Sequence, residues 1–388
     1  MRALAFAVFA ACAAPRALPA DAPDELPADA TRTYTLWLAG ARVGTATESE
    51  QWSPLGVHVH RGESLHFRRG DADVDVATAI DIDADLRLRP TRVRWSERSG
   101  RVEERALLSR AAAGDAWQSS AAQQPPPHDA IPAELVALYV RRDGHFAGRV
   151  FEPARGFRAV DERVDRVSPG HFVATPARSE IELGADDMPA RVVDGDGVIA
   201  LRADPLAARA PFVPVDLVAA TSLAIAGTRT AHATLALDGA ARADAPPAGA
   251  PGPDRSGEIR ALIADVRARI TPDLAAPAPR DASDAATATA GDCTTFALAY
   301  AALAAAHDIP TRVVTGFRVD ADRLVRHRWA TSWTGRAWVA VDASFDADAL
   351  AGESAQRALV ALAVHDADAA GLVAGDAALA RVRGAAWR

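Results

Sequence analysis

Gly291-Asp292-Cys293-Thr294-Thr295-Phe296-Ala297-Leu298-Ala299-Tyr300 is the stretch on which the reading of this chain turns. It reads as a tight turn opening a helix, with a thiol at the opening. Gly291 permits a tight backbone before the thiol. The Ala-rich run from Thr294 predicts a helix to about His307, stopped near Pro310, which cannot continue it. At a helix N-terminus the unpaired N–H groups and the positive end of the dipole favour a thiolate.

The other cysteine lies elsewhere in function. Met1 to Ala14 has a short basic start and an apolar run too short to span a bilayer, which suits a secretory signal over residues 1–20, cut after Ala14 or Ala20. As an alternative, Phe9-Ala10-Ala11-Cys12 resembles an imperfect lipobox, which would make Cys12 a lipid anchor. The expectation is an exported protein, periplasmic or secreted, or held to a membrane through Cys12. Either way Cys12 leaves the thiol chemistry. Cys293 then has no intrachain disulfide partner and is either a buried small hydrophobe or a reactive thiol.

Downstream of the thiol, three strands are expected: Thr311 to Phe317, Val325 to Trp333 and Arg336 to Asp342. With Thr334-Gly335 as a two-residue turn, Trp333 faces Arg336, and the same register sets His327 directly opposite Asp342. A four-residue loop would move the partner by two places and keep the face; an odd loop would flip it. A thiolate needs a base and a group that orients the base, and this hairpin offers both.

Upstream, residues 33–242 read as β-rich. From Thr33 to about Leu108, short period-two runs separated by turns suggest an antiparallel meander with one wet face. Two of those runs are Gly56 to His60 and Ser64 to Phe67. Ile131 to Arg142 reads as a helical insertion, with Leu135, Leu138 and Tyr139 on one stripe. Residues 243–254, rich in Ala, Pro and Gly, read as a linker. Ser256 is the expected cap of a helix carrying Ile259, Leu262, Ile263, Val266 and Ile270 at helical spacing. The domain plan is therefore a signal at 1–20, a β-rich domain at 33–242, a linker at 243–254, an α+β core at 255–360 and a C-terminal extension at 361–388.

Composition narrows the function classes. The chain has 388 residues, 49% hydrophobic and 24% charged, with a formal net charge of -8. These are values of an ordinary globular protein, and the negative balance argues against nucleic acid as a partner. All the basic residues are Arg; neither Lys nor Asn occurs, a bias expected of a GC-rich genome. No stretch after the signal reaches the about 18 apolar residues of a transmembrane segment. His58, His60 and His66 share a strand parity but lack a convincing further donor, so no metal is assigned. Asp71, Asp73 and Asp75 start like a calcium loop, but Val76 and Ile82 stand where Gly and Glu are needed. No cofactor is expected, and oligomeric state is not readable.

Gly291-Asp292-Cys293, His327-Arg328-Trp329 and Trp338-Val339-Ala340-Val341-Asp342-Ala343-Ser344 together resemble the three blocks of the transglutaminase-like superfamily, whose core is papain-like. Ile309 to Gly316 also resembles its helix-to-strand connection, so the likeness covers roughly residues 255–350. The fold this implies is α+β, a β-rich antiparallel N-terminal domain followed by a transglutaminase-like core. By resemblance Cys293 is the nucleophile, His327 the general base and then acid, and Asp342 the residue orienting the imidazole. Trp329 is a packing residue that can wall the thiol pocket. The reaction implied is acyl transfer from peptide-like amides of a protein or peptide substrate, through a thioester, to water or an amine. Thr295, Phe296 and Ser332 depart from the residues common in relatives, which bears on substrate type. The Cys293 N–H is one candidate oxyanion donor. The alternative is a non-catalytic binding or scaffold module of the cell envelope that keeps the fold.

Overall fold

Period-two burial runs through the first third of the chain. Tyr34, Leu36 and Leu38 are buried on one strand, Val57, Val59, Leu65 and Phe67 on another, and Val74 and Val76 on the next. In the computed structural model the described residues are 26–387, without 101, 111–114, 121–123, 156, 176–178, 185–188, 195–196, 229, 231, 238–245, 345–357 and 380. The expected signal, Cys12 and the first residues of the expected linker lie outside them. The chain forms two units: described residues up to Phe67 with Asp73–Val215, and Arg68–Ala72 with Asp216–Arg388.

The first unit is the expected meander, extended. Strands Ala30–Leu38, Ala41–Ser53, Gly56–Arg69, Ala72–Ala84, Pro90–Ser99 and Val102–Ser109 lie side by side in chain order. Ala30–Leu38 also pairs with Val198–Arg202, from which the sheet runs back through five more strands to Phe146–Phe151. The expected runs at 56–60 and 64–67 are one strand. Arg61 and Glu63 bridge them and are buried, because the buried face holds its own ion pairs: Arg32 with Glu48 at 2.9 Å, Arg61 with Glu63 at 3.1 Å, and Arg141 with Glu50 at 2.6 Å. Charged residues that pair in this way occupy buried positions that a hydrophobicity pattern cannot see. The expected helix from Ile131 starts later, at Val136, after an extended Pro132 and a 3-10 turn over Ala133–Leu135. Gly144, at φ 78°, ends it. On the other face His58, His60 and His66 bond Asp83, Asp81 and Asp75. Among the described residues no group of side chains is placed to hold a metal ion, and no helix is long and apolar enough to cross a membrane.

The second unit carries the thiol. Its helix spans Cys293–Ala306 and packs in one core with the helix Ser256–Arg269. Ile259, Leu262, Ile263, Val266 and Ile270 are all buried there, as their spacing predicts. Ser256 is the first helical residue rather than the cap: Arg255 holds the cap position without a side-chain bond of its own, and Asp254, one place before it, accepts from both the N–H and the hydroxyl of Ser256. The sheet under the thiol helix is built on Thr311–Asp320 and Arg323–Trp333, antiparallel over their full length. Tyr300 and Thr311 both bond the hydroxyl of Ser332, at 2.9 and 2.8 Å, and so tie the helix to the sheet. Leu359–His365 pairs with Thr311–Asp320, and Val382–Trp387 lies parallel to Leu223–Ala226, so the residues expected as an extension supply strands of this sheet.

The stretch expected as a linker also packs here. Pro247 and Ala250 accept from the indole N–H groups of Trp338 and Trp333, and a Cβ on Gly249 would stand 2.7 Å from Trp333. The Pro- and Gly-rich composition there serves a close approach of backbone to tryptophan rings.

Candidate active site

The helix begins at Cys293 because Asp292 caps it. Its Oδ1 accepts from the N–H of Thr294 at 2.9 Å and of Thr295 at 3.4 Å. Gly291 is needed for space rather than for an unusual backbone angle. A Cβ there would stand 2.1 Å from the hydroxyl of Thr295, a side chain with no solvent exposure.

The neighbouring strand leaves a gap for the thiol. Arg323–Trp333 has two partners on one edge, Leu223–Ala226 at Arg323 and Leu324, and Trp338–Val341 from Ala330 to Trp333. Among the described residues no strand covers the edge between, at Val325 to Trp329. The Cys293 sulfur occupies this gap and accepts from the backbone N–H of Arg328 and from the His327 imidazole.

The hairpin that holds His327 departs from the expected turn. Trp333 pairs with Trp338, not Arg336, so the loop has four residues, Thr334 to Ala337. The Thr334 hydroxyl accepts from the N–H groups of Arg336 and Ala337, and Gly335 sits at φ 93° with its carbonyl bonded to the N–H of Gly252. This capping by Thr334 stabilises the longer loop. The two-place shift keeps the side-chain parity, as an even loop must. Asp342 lies just past the end of Trp338–Val341, and its Oδ2 reaches His327 Nε2 at 2.6 Å. Ser344 fixes the other carboxylate oxygen through its N–H at 3.1 Å and its hydroxyl at 2.5 Å.

Cys293, His327 and Asp342 are therefore brought together. Nε2 of His327 is engaged with Asp342, which leaves Nδ1 to face the sulfur. Burial works against the imidazolium, but the bonds to Asp342 and Cys293 outweigh it and raise the His327 pKa to about 9. Burial and the nearby Asp292 carboxylate act to raise the Cys293 thiol. The His327 side chain and the Arg328 N–H more than offset them, and the thiol pKa lies below its ordinary value. The two shifts favour a thiolate beside an imidazolium, the state in which a thiol is a competent nucleophile.

Trp329 is 3% exposed and stacks on the His327 ring, with centroids 5.9 Å apart and planes 16° apart. It walls the imidazole and packs with Val314 and Ala340. Gly316 admits it: a Cβ there would meet Trp329 at 2.9 Å and the Val360 carbonyl at 2.2 Å. Arg328 joins three elements, donating to Thr294 Oγ1 at 3.3 Å, Thr315 Oγ1 at 3.0 Å and Asp376 Oδ1 at 2.7 Å. Sequence reasoning assigned no role to Asp292, Arg328 or Ser344. Signals were present for the first and last: Asp two places before the first bonded N–H is a helix cap, and Asp-x-Ser is a local turn pattern.

Residues 247–343 match the family model of the transglutaminase-like superfamily. This part of the chain is a transglutaminase-like domain. Cys293, His327 and Asp342 all fall within it, as does the segment 247–254 expected to be a linker. No curated protein matches the chain. Two solved structures resemble part of it. A candidate cysteine protease from Cytophaga hutchinsonii shares 27% identity over 33% of this chain and 40% of its own, with a TM-score of 0.26. A DUF1089 family protein from Pseudomonas aeruginosa shares 10% identity over 37% of this chain and 87% of its own, with a TM-score of 0.27. This chain thus spans less than half the length of the Cytophaga protein it resembles.

Proposed function

We propose that the transglutaminase-like domain is a cysteine-dependent acyltransferase or amidase acting on peptide-like amides in a bacterial envelope, with Cys293 as nucleophile. The observation that carries this reading is the chain of contacts from Ser344 through Asp342 and His327 to the Cys293 sulfur.

The thiolate attacks the amide carbonyl carbon, forming a C–S bond and a tetrahedral oxyanion. The oxyanion collapses as the C–N bond breaks, and the imidazolium of His327 gives its proton to the departing nitrogen. The neutral imidazole then takes a proton from water or an incoming amine, which attacks the thioester carbonyl and expels the thiolate. Asp342 keeps the ring oriented and stabilises its charged form throughout. The substrate class is a protein or peptide, and the setting is an exported chain, periplasmic, secreted or anchored through Cys12.

The test is alkylation of the full chain with iodoacetamide across pH, with His327→Ala beside it. The expected result is a Cys293 that reacts below the ordinary thiol range, and a His327→Ala protein that has lost this advantage. Equal reactivity of the two proteins, with an ordinary thiol midpoint, would favour a non-catalytic envelope module instead.

A further inference from the structure

A second ionic contact reaches the thiol helix from a distant part of the sequence. Arg69 belongs to the short segment Arg68–Ala72 of the same unit. The segment is held there by a parallel bridge from Arg68 to Asp216, and by the N–H of Gly70 donating to Asp216 Oδ1 at 3.0 Å. Asp216 in turn caps the following helical turn through the N–H of Val218. Arg69 is 8% exposed. One arm of its guanidinium donates to the Leu274 carbonyl at 2.8 Å, and the other to Asp292 Oδ2.

The arrangement divides the work of the Asp292 carboxylate. Oδ1 caps the thiol helix, while Oδ2 is held by Arg69. A negative charge directly beside Cys293 opposes its ionisation, because two like charges at close range disfavour each other. Asp292 is thus needed as a cap and harmful as a charge. A buried guanidinium on its far oxygen keeps the cap and cancels much of the field.

We propose that Arg69 is a positioning residue for the Cys293 thiolate, acting through Asp292 by fixing the helix cap and neutralising its charge. This rests on the reading of Cys293 as the reactive nucleophile. Arg69 touches neither the sulfur nor the imidazole in the contacts described, so its effect is electrostatic and geometric rather than chemical.

The experiment is the pH dependence of iodoacetamide alkylation at Cys293 in the full chain, with folding followed by circular dichroism. The variants are Arg69→Gln, Arg69→Lys, Asp292→Asn and the double variant Arg69→Gln/Asp292→Asn. Arg69→Gln is expected to move the alkylation midpoint up by about one pH unit. Arg69→Lys, which keeps the charge, is expected to recover most of that shift. Asp292→Asn keeps a capping oxygen and loses the charge, so its midpoint is expected to fall. The double variant is expected to regain at least half of the shift seen in Arg69→Gln, because the uncompensated charge is gone. A purely structural Arg69 would give a double variant as impaired as Arg69→Gln, and that result overturns the proposal, as does a folded Arg69→Gln with an unshifted midpoint. If Arg69→Gln does not fold, Asp292→Asn decides: an unchanged or raised midpoint overturns the proposal. The shifts are measured against the unaltered chain. A Cys293 with an ordinary midpoint there counts against the proposed function, while the shifts still report on Arg69.

Discussion

His327 Nε2 lies 2.6 Å from Asp342 Oδ2 although the two residues are not partners in the ladder. The strands pair Ala330 with Val341 and Trp333 with Trp338. Continued by one place, that register sets Asp342 opposite Trp329, with His327 two residues further along the same face. The contact is diagonal, within reach because same-face diagonal neighbours lie close enough for long side chains. Asp342 gains the reach by standing just beyond the strand end, where Ser344 orients its carboxylate. Asp342→Asn should therefore lower the His327 pKa from about 9 towards its ordinary value of 6.5. An NMR titration of the imidazole checks this, and turnover of an amide substrate should drop by about 10²–10⁴-fold.

The pH profile should carry the same signature. The thiol is lowered and the imidazole raised, so the thiolate–imidazolium pair is populated between the two. Amide turnover should rise as the thiol ionises, at a pH below the ordinary thiol range, and fall near pH 9 as the imidazolium loses the proton needed by the leaving group. An upper limb near pH 6.5 would contradict the raised imidazole.

Stability should respond to the same group with a definite sign. The folded-state pKa of His327 is above its ordinary value of 6.5. Its contribution is fully present below pH 6.5 and is lost as pH rises to about 9. Urea midpoints measured across this window should decline in the unaltered protein and decline less in His327→Gln.

In the first unit a buried carboxyl has the same sign for a different reason. Burial is the main cause raising the Glu134 carboxyl to about 7 from the ordinary 4.5. The unfolded chain ionises first, so this group penalises the folded state increasingly as pH climbs from 4.5 to about 7, and the penalty stays constant above. Glu134→Gln should raise the urea midpoint at pH 8 relative to the unaltered protein, with a smaller difference at pH 4.5.

The loop that sets the hairpin register can be tested directly. Gly335 stands at φ 93°, and a Cβ there would meet the Pro253 carbonyl at 2.3 Å. Gly335→Ala should destabilise the protein by about 1–3 kcal/mol, from backbone strain and the displaced segment together. Thermal unfolding measures the loss. Alkylation kinetics should show whether the His327–Asp342 distance survives it.

The sequence alone determined the helix that starts at Cys293, the hairpin that carries His327 and Asp342, and the period-two strands of the N-terminal sheet. Each rests on local chemistry: an Asp and a Gly before an Ala-rich run, an even loop between two strands, alternation of apolar residues. The loop length was the weak point, since Thr334 stabilises a four-residue turn with its own hydroxyl and leaves no mark in hydrophobic pattern. The tertiary structure alone decided the rest. It brought Leu359–His365 and Val382–Trp387 into the sheet, laid Pro247 to Ala250 on two tryptophans, buried Arg61 and Glu63 among partner charges, and set Arg69 against Asp292. These features depend on pairing between residues far apart in the chain. Their stability comes from partners that a single stretch does not contain.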